Sequence, residues 1–300
     1  MQIRVVRVLA SLLTAGTVLA AAGLAASPAV AAPKSPSGKG ANKPAPTASP
    51  TPSPTATATP PPPSGAIGPR SYVLALGDSI AQGSSPTGIV TDAYPYTYAA
   101  GLVGTTLVDY ACAGESSRTF VDGGCPYPMS VAHPYTGAQL QAAVDFIAAH
   151  PGQVSPVTVQ LGANDLFAVT GGGCGVATTA PAALDAFEAD LRRSATALRS
   201  ALAGTGDLVL MGIYHPYQND CAARPESRAV FIELNARTQL VSQELGARFV
   251  DVFVAFGNDQ PAPNAFVCTY TFMCESRQDV HPKKAGHDAI ARALRATLGY

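Results

Sequence analysis

The sequence predicts an α/β fold in which a mostly parallel, five-stranded sheet is covered by helices on both faces. Two observations lead to this prediction. Short apolar runs alternate with longer amphipathic segments from residue 71 to residue 300, an order that produces parallel strands joined by right-handed helical crossovers. Polar signatures follow the first three apolar runs, and functional groups in parallel sheets gather at the carboxyl ends of the strands.

The predicted strands are short apolar runs bounded by turn residues. In chain order they cover residues 72–76, 106–111, 157–161, 208–213 and 248–252. The predicted helices follow the 3.6-residue apolar period. In chain order they cover residues 93–104, 137–150, 182–203, 225–246 and 286–298. Pro151 ends the second of these helices and Gly246 ends the fourth, as is typical of helix termini.

Residues 1–31 have the pattern of an export signal peptide. Arg4 and Arg7 precede an apolar stretch, and Ala29-Val30-Ala31 fits the small-residue cleavage pattern. The alternative is a transmembrane anchor, which the small residues at the cleavage position disfavour. We therefore expect a secreted, extracellular protein without stable membrane insertion after cleavage.

We predict that residues 32–70 form a linker rich in Pro, Ser and Thr and that residues 71–300 form one folded domain. The linker holds no acidic or aromatic residue, so it cannot bury enough apolar surface to offset the entropy of ordering, and we expect it to be disordered. A plain spacer is the simpler interpretation. A segment that associates with the cell wall is the alternative.

The charge of the domain excludes one class of partner. All 20 acidic residues and 13 of the 19 basic residues lie in 71–300, which gives this part a formal charge of −7. Nucleic-acid binding needs a basic surface, so we expect no nucleic-acid partner. We expect a monomer.

Six cysteines, all within 71–300, indicate disulfides in an exported chain. Six cysteines allow 15 pairings, and spacing alone does not choose among them. Neighbour pairing is preferred because each bridge closes one local loop. It gives the pairs Cys112–Cys125, Cys174–Cys221 and Cys268–Cys274. No Cys-x-x-Cys pair occurs, so we expect no metal site.

Ser79 is the candidate nucleophile. It follows the first strand within Gly77-Asp78-Ser79, where a tight turn exposes the hydroxyl and lets the Ser79 N–H face an oxyanion. The alternative is that Asp-Ser is an ordinary helix N-cap. Two further oxyanion donors are the Gly114 N–H after the second strand and the Asn164 side-chain amide after the third. Their alternatives are a turn glycine and a helix-capping asparagine.

His281 is the candidate general base, since histidine serves this role at neutral pH. Asp279 lies two residues before it and is the candidate acid that orients the imidazole. The alternative is a histidine in a surface loop. His133, His150, His215 and His287 have no such acidic neighbour in the same pattern.

Ser79, Gly114, Asn164 and His281 appear in the order of the four sequence blocks of the SGNH (GDSL-type) hydrolase family, which residues 71–300 resemble. The six cysteines and the export signal resemble in particular the secreted actinobacterial esterases and lipases of this family. The resemblance implies a three-layer α/β/α flavodoxin-like fold. It also implies a catalytic domain over residues 71–300 that hydrolyses a small-molecule, lipid or glycan ester without a cofactor, through an acyl-enzyme on Ser79.

One position departs from the family pattern. The family places its acid three residues before the histidine, where this chain has Gln278. Either Asp279 is the acid, or a backbone carbonyl near Gln278 holds the ring and leaves a Ser-His dyad.

Other functions remain compatible with the sequence. A carbohydrate O-acetylesterase or a phospholipase would use the same fold and the same residues. A non-catalytic wall- or glycan-binding protein is the alternative from a different class, and the presence of Ser79, Asn164 and His281 disfavours it. No Gly-x-Ser-x-Gly motif occurs, so the nucleophile elbow of α/β-hydrolases is missing.

Overall fold

The computed structural model describes residues 65–300. The signal peptide predicted at 1–31, and the part of the predicted linker that precedes residue 65, lie outside the described residues. At the start of the described chain, the N–H groups of Ile67 and Gly68 donate to the carboxylate of Asp207. The fold therefore includes the last residues of the segment predicted as linker.

The secondary structure alternates as the sequence predicts. The strands are β1 (Tyr72–Gly77), β2 (Ser84–Ser85), β3 (Gly88–Ile89), β4 (Thr106–Asp109), β5 (Val154–Gln160), β6 (Leu208–Met211), β7 (Arg248–Val250), β8 (Thr271–Phe272) and β9 (Asp279–Pro282). The helices are α1 (Ser79–Gln82), α2 (Tyr94–Ala99), α3 (Ser117–Asp122), α4 (Gln139–Ala149), α5 (Ala163–Thr170), α6 (Ala180–Leu202), α7 (Pro225–Glu244), α8 (Val252–Ala255), α9 (Ala265–Tyr270) and α10 (Lys284–Leu298).

Five strands form the central sheet in the order β4-β1-β5-β6-β7. Each neighbouring pair in this sheet is parallel. This is the flavodoxin-like order, in which the chain reverses its direction of winding between β1 and β5. The predicted α/β fold with a five-stranded sheet is confirmed. The reversal point matters because ligands in such sheets bind just beyond it, at the carboxyl ends of the strands.

Two hydrophobic clusters cover the two faces of the sheet. Leu74 and Leu208 point into one cluster, which includes apolar residues of α4, α6 and α7. Val73 and Val209, their sequence neighbours, point into the other, which includes residues of α2 and α10. Because strand side chains alternate between faces, a strand buried on both sides is apolar throughout. This explains why the strands are recognisable as continuous apolar runs.

The structure also contains short elements beyond those predicted. They include α1, α3 and α5, each of which follows a strand of the central sheet, and the two-stranded antiparallel sheets β2-β3 and β8-β9. His281, for which a surface loop was the alternative interpretation, lies on β9. No helix among residues 65–300 is long and apolar enough to cross a membrane.

Three disulfides connect the loops around the sheet. They join Cys112 to Cys125, Cys174 to Cys221 and Cys268 to Cys274, which are the neighbour pairs that the sequence predicts. The first encloses the segment that carries Gly114, and the third encloses β8, the strand that pairs with β9.

Candidate active site

Ser79 lies at a sharp turn between β1 and α1. Gly77 has φ +137°, and a Cβ atom at this position would lie 2.1 Å from the carbonyl oxygen of Gln160 on β5. Only glycine therefore lets β1 approach β5 this closely before the turn. Asp78 caps α1, because its Oδ1 accepts the Ile80 N–H at 2.9 Å. The predicted turn and the alternative N-cap interpretation of Asp-Ser thus both describe the local backbone.

Gln139 fixes the strand end from the opposite side, a role that the sequence analysis did not detect. Its Oε1 accepts the Gly77 N–H at 2.7 Å, and its Nε2 donates to the Gly77 carbonyl at 3.1 Å. Gln139 is fully buried at the start of α4. It is 62 residues from Gly77 in the chain, so no local sequence signal could reveal the pairing.

Gly114 lies in the loop after β4 that the Cys112–Cys125 disulfide closes. Its φ of +78° is in the left-handed region. A Cβ atom there would be 3.2 Å from the ring carbons of Pro126, so a side chain would be both strained and crowded. This position brings backbone, rather than a side chain, to the carboxyl edge of the sheet.

Asn164 is the second residue of α5, directly after β5. Its Nδ2 donates to the backbone carbonyl of Glu115 at 2.8 Å, so the loop that carries Gly114 and the start of α5 are connected. The amide nitrogen has a second hydrogen for another acceptor. Asn164 does not cap the helix, since Gly162 occupies the N-cap position.

Two backbone donors at this edge remain unpaired. Within residues 65–300, the N–H groups of Ser79 and Gly114 donate no hydrogen bond. The first N–H groups of a helix have no acceptor within the helix, and Ser79 is the first residue of α1, so its N–H is available to a negatively charged oxygen. The two donors and the Asn164 amide follow β1, β4 and β5, which are adjacent in the sheet.

Buried carboxyl groups surround the turn. Asp78 and Glu115 are fully buried and Asp165 is partly buried. Burial, together with the charges of Asp165 and Glu115, raises the pKa of Asp78 to about 7. Burial also raises the pKa of Glu115 and of Asp165, although Ser117 Oγ donates to Asp165 at 2.6 Å. These groups hold backbone and side chains in place beneath Ser79.

His281 and Asp279 lie together on β9. Asp279 Oδ1 accepts a hydrogen bond from the His281 backbone N–H and is also 2.8 Å from the ring Nδ1. A carboxylate at Nδ1 leaves Nε2 as the nitrogen that can take a proton. Gln278 has φ +46°, a left-handed conformation that lies directly before the pair. The structure thus brings together the two residues despite their two-residue spacing.

The β8-β9 hairpin, which carries Asp279 and His281, is held by contacts outside the central sheet. The hydroxyl of Tyr214 donates to the Val280 carbonyl at 2.6 Å, and the Tyr214 ring stacks on Phe256 with centroids 4.2 Å apart. The Cys268–Cys274 disulfide brackets β8, the partner strand of β9. The hairpin is therefore positioned by one hydroxyl, one stacked ring pair and one disulfide.

Ser79 and His281 face the same small apolar cavity at the carboxyl edge of the sheet. Among the described residues, no hydrogen bond joins Ser79 Oγ to the His281 ring. Such bonds are often long or absent until a substrate is bound. The arrangement offers a hydroxyl, an imidazole oriented by a carboxylate, and three donors for a negative oxygen.

The other histidines have different surroundings. His215 and His287 are fully buried, and burial lowers the pKa of each to about 4. His133 and His150 bond to backbone atoms of Asp109 and Phe146. Neither buried imidazole lines the cavity that holds Ser79.

Among the described residues, one group of side chains has metal-ligand spacing: Cys112, Glu115 and Cys125. The two sulfur atoms are joined in a disulfide, so neither can act as the thiolate that a metal requires. This group therefore does not fit a metal ion.

The sequence profile of the GDSL-like lipase/acylhydrolase family matches residues 75–289. The match spans β1 to α10 and includes the four candidate residues Ser79, Gly114, Asn164 and His281. A comparison with curated proteins gives no match.

Solved structures with the same fold include two Streptomyces enzymes. The extracellular lipase of Streptomyces rimosus is 18% identical, with a TM-score of 0.53 over 76% of this chain and 99% of that chain. Phospholipase A1 of Streptomyces albidoflavus NA297 is 16% identical, with the same TM-score of 0.53 and the same coverage, 76% and 99%.

A catalytic mutant of an acetylxylan esterase from Geobacillus stearothermophilus is also similar. It is 20% identical, with a TM-score of 0.52 over 78% of this chain and 96% of that chain. At these identities the similarity establishes the fold.

Proposed function

The chain belongs to the GDSL-like lipase/acylhydrolase family and is therefore a carboxylic ester hydrolase, and we propose that Ser79 is its nucleophile and His281 its general base. One observation carries this proposal. Ser79 and His281 line one cavity, and Ser79 and Gly114, whose N–H groups have no acceptor in the described chain, follow adjacent strands of the sheet. A purely structural role for Ser79 would not explain why its turn and an imidazole line the same cavity, or why N–H groups nearby are left without an acceptor.

The proposed reaction has two steps. In the first, Ser79 Oγ loses its proton to His281 Nε2 and forms a bond to the carbonyl carbon. The bond from that carbon to the alcohol oxygen then breaks, and the alcohol leaves with the proton from His281. In the second step, water gives a proton to His281 and attacks the acyl-Ser79 carbonyl. The acid leaves, and Ser79 regains its proton.

The oxyanion that forms in both steps needs donors fixed before the reaction begins. We assign this role to the N–H groups of Ser79 and Gly114 and to the Asn164 amide. The Asn164–Glu115 hydrogen bond of 2.8 Å supports the assignment, because it holds the amide and the glycine loop in one arrangement. Donors that need no reorganisation stabilise the transition state most effectively.

We assign Asp279, rather than a backbone carbonyl, as the group that orients His281. Its Oδ1 is 2.8 Å from Nδ1 and also accepts the His281 N–H. Two hydrogen bonds to one carboxylate oxygen fix both the ring and the backbone of the base. This supports a Ser-His-Asp triad with a shorter acid-to-histidine spacing than the family pattern has.

We also propose that the enzyme acts outside the cell. Three disulfides within one domain support an oxidising compartment. An extracellular lipase among the structures of the same fold is in keeping with this location. The export signal predicted at 1–31 provides the route.

The Ser79→Ala variant tests the nucleophile. We expect hydrolysis of p-nitrophenyl acetate to fall to the background rate and labelling by a fluorophosphonate probe to disappear. The far-UV circular dichroism should be unchanged, since Ser79 Oγ forms no hydrogen bond within the described chain. Ser84→Ala is the matched control, a nearby partly buried serine whose loss should leave both assays intact. A labelled, active Ser79→Ala protein would refute the assignment.

A further inference from the structure

The strand that leads to Ser79 ends beside a side chain rather than between two strands. On one side Gly77 pairs with β5. On the other side β4 pairs with β1 only as far as Asp109, and the Gly77 N–H donates to Gln139 Oε1 at 2.7 Å. In a continued parallel ladder that N–H would donate to a backbone carbonyl of the neighbouring strand. The Gln139 amide therefore takes the place of the next part of β4.

Glutamine suits this position because its amide both accepts and donates hydrogen bonds. While Oε1 accepts the Gly77 N–H, Nε2 donates to the Gly77 carbonyl at 3.1 Å. One backbone residue thus offers a donor and an acceptor, and this pairing fixes which end of the Gln139 amide carries the oxygen. Both residues are buried, so the Gly77 N–H depends on this side chain for a partner.

The same Gln139 nitrogen also reaches the loop after β4. Nε2 donates to Glu115 Oε2 at 3.2 Å and to the Tyr135 hydroxyl at 3.3 Å. Glu115 is fully buried and directly follows Gly114 in the chain. Its backbone carbonyl accepts the Asn164 side-chain amide at 2.8 Å. Glu115 therefore connects Gln139 to two of the three proposed oxyanion donors.

Hydrogen bonds from this one side chain span all three donors. Some act on the residue two positions before Ser79. Another acts on Glu115, which joins Gly114 to Asn164. Oxyanion donors are effective only when their relative positions are fixed before the reaction begins. Resting on the function proposed above, we propose that Gln139 is a positioning residue that sets the spacing of the three oxyanion donors, with the Glu115 side chain as its partner.

The Gln139→Met variant removes these hydrogen bonds and keeps a side chain of similar length. A misplacement of about 1 Å can cost about 100-fold in rate, so we expect kcat on p-nitrophenyl acetate to fall by about that factor. KM should stay within about threefold, because the donors act mainly in the transition state. Inhibition by butylboronic acid, whose adduct with Ser79 is tetrahedral, should weaken by a factor similar to the loss in kcat.

Gln141→Met is the matched control, since it removes an exposed glutamine of the same helix that donates to Asp145. It should keep the wild-type kcat, KM and boronate inhibition.

Variants of Glu115 separate positioning from stability. Burial raises the pKa of this carboxyl group, so an apolar side chain of similar size in Glu115→Met should leave the thermal unfolding temperature unchanged or higher. The hydrogen bonds of Gln139 to Gly77 remain in this variant. We expect kcat to fall by about 10-fold, less than in Gln139→Met because only part of the network is lost. Glu115→Gln keeps an oxygen that can accept from Gln139 Nε2 and should restore kcat to within about threefold of wild type.

The outcomes separate this proposal from the function on which it rests. If folded Gln139→Met keeps the wild-type kcat while Ser79→Ala is inactive, the function stands and the positioning role is wrong. If Gln139→Met does not fold, the Glu115 variants decide. A loss of kcat in Glu115→Met that only follows a loss of folded protein, or that Glu115→Gln does not reverse, would also overturn the positioning role. If the wild-type protein neither hydrolyses esters nor labels with fluorophosphonate, the proposed function itself fails.

Discussion

The two halves of the candidate site are built in different ways. Ser79, Gly114 and Asn164 follow adjacent strands of the central sheet, and backbone geometry and buried hydrogen bonds fix them. Asp279 and His281 lie on a two-stranded sheet at the periphery, held by the Tyr214 hydroxyl and a disulfide. We call the first group the sheet half and the second the hairpin half. We infer that the sheet half, which carries the proposed oxyanion donors, is part of the core and is as rigid as the core. The position of the hairpin half, which carries the proposed base, depends on a few contacts that can be removed one at a time.

The largest effect is expected at the base. Asp279→Ala removes both hydrogen bonds from the carboxylate to His281, and without them the imidazole loses its tautomer and its orientation. Loss of the orienting acid in serine hydrolases costs up to about 10⁴-fold in kcat. We expect kcat on p-nitrophenyl acetate to fall by about 1,000-fold, with a small change in KM.

Gln278→Ala is the control for this experiment, because it alters the exposed neighbouring residue that occupies the family's usual acid position. It should retain activity within a few-fold. A near-normal rate for Asp279→Ala would mean that a backbone carbonyl orients the ring, and the triad assignment would then be abandoned for a dyad.

Both the backbone positions and the residues of the sheet half were largely accessible from sequence, whereas for the hairpin half the residues Asp279 and His281 were predicted but the strand that carries them was not. The turn after β1 and the start of α5 follow continuous apolar runs, so their positions at the sheet edge could be predicted. The left-handed conformation of Gln278 could not, because glutamine is not among the non-glycine residues that are enriched at positive φ. From the sequence alone, Asp279 is the preferred acid, and its two-residue spacing to His281 leaves the dyad open.

Long-range partners mark the other boundary of prediction. Gln139 bonds to Gly77 across 62 residues and Tyr214 to Val280 across 66 residues. The short helices α1 and α3 are fixed by the caps of Asp78 and Ser116, and a single cap is a weak signal beside the apolar period of a long helix. Long amphipathic helices were predictable because their apolar period repeats over many residues, whereas these short helices are too short to show one.

Asn164→Ala tests the sheet half directly. It removes one proposed oxyanion donor, and loss of one such donor costs roughly 100- to 1,000-fold in kcat. We expect a loss in that range with KM little changed, because the missing interaction acts mainly in the transition state. Measurement of both constants with p-nitrophenyl butyrate separates this result from weaker substrate binding.

Ser117→Ala provides the comparison, since it removes the 2.6 Å hydrogen bond to Asp165 from the same edge without removing an oxyanion donor. Its kcat should stay within a few-fold of wild type. Equal losses in the two variants would indicate that Asn164 acts by supporting the loop structure alone.

The free energy of unfolding should also depend on pH, because the sheet half contains the buried Asp109 at the end of β4. Burial raises the pKa of Asp109 to about 7 from an ordinary value of 3.8. Between these values the folded chain keeps a proton that the unfolded chain has lost, so stability falls as the pH rises. The loss is at most about 1.4 kcal/mol for each pH unit. It should level off above about pH 7.

Asp109→Asn keeps an oxygen that can accept the Ala111 N–H at 2.9 Å but cannot titrate. Denaturant unfolding from pH 4 to pH 8 should show the wild-type protein losing stability relative to this variant up to about pH 7. Asp145→Asn alters an exposed carboxylate and should leave the wild-type pH slope unchanged. A parallel pair of curves for wild type and Asp109→Asn would contradict the predicted proton uptake.

The smallest effect is expected from Tyr214→Phe, which tests how the hairpin is held. The substitution removes the 2.6 Å hydrogen bond to the Val280 carbonyl and keeps the ring stacked on Phe256. We expect about a 10-fold loss of kcat and a loss of roughly 1 kcal/mol in unfolding free energy, the usual net contribution of one hydrogen bond. Val280 directly precedes His281, so the substitution should disturb the position of the imidazole, and with it kcat, more than it disturbs the packing of the core.

Tyr270→Phe removes a hydroxyl from another ring packed on Phe256, and within the described chain that hydroxyl forms no hydrogen bond. Its kcat and stability should match wild type. If Tyr214→Phe also matched wild type in kcat, the hydroxyl would not position the hairpin. The Cys268–Cys274 disulfide and the ring stack would then suffice to hold His281. The hairpin half would in that case be attached to the core more firmly than the comparison of the two halves implies.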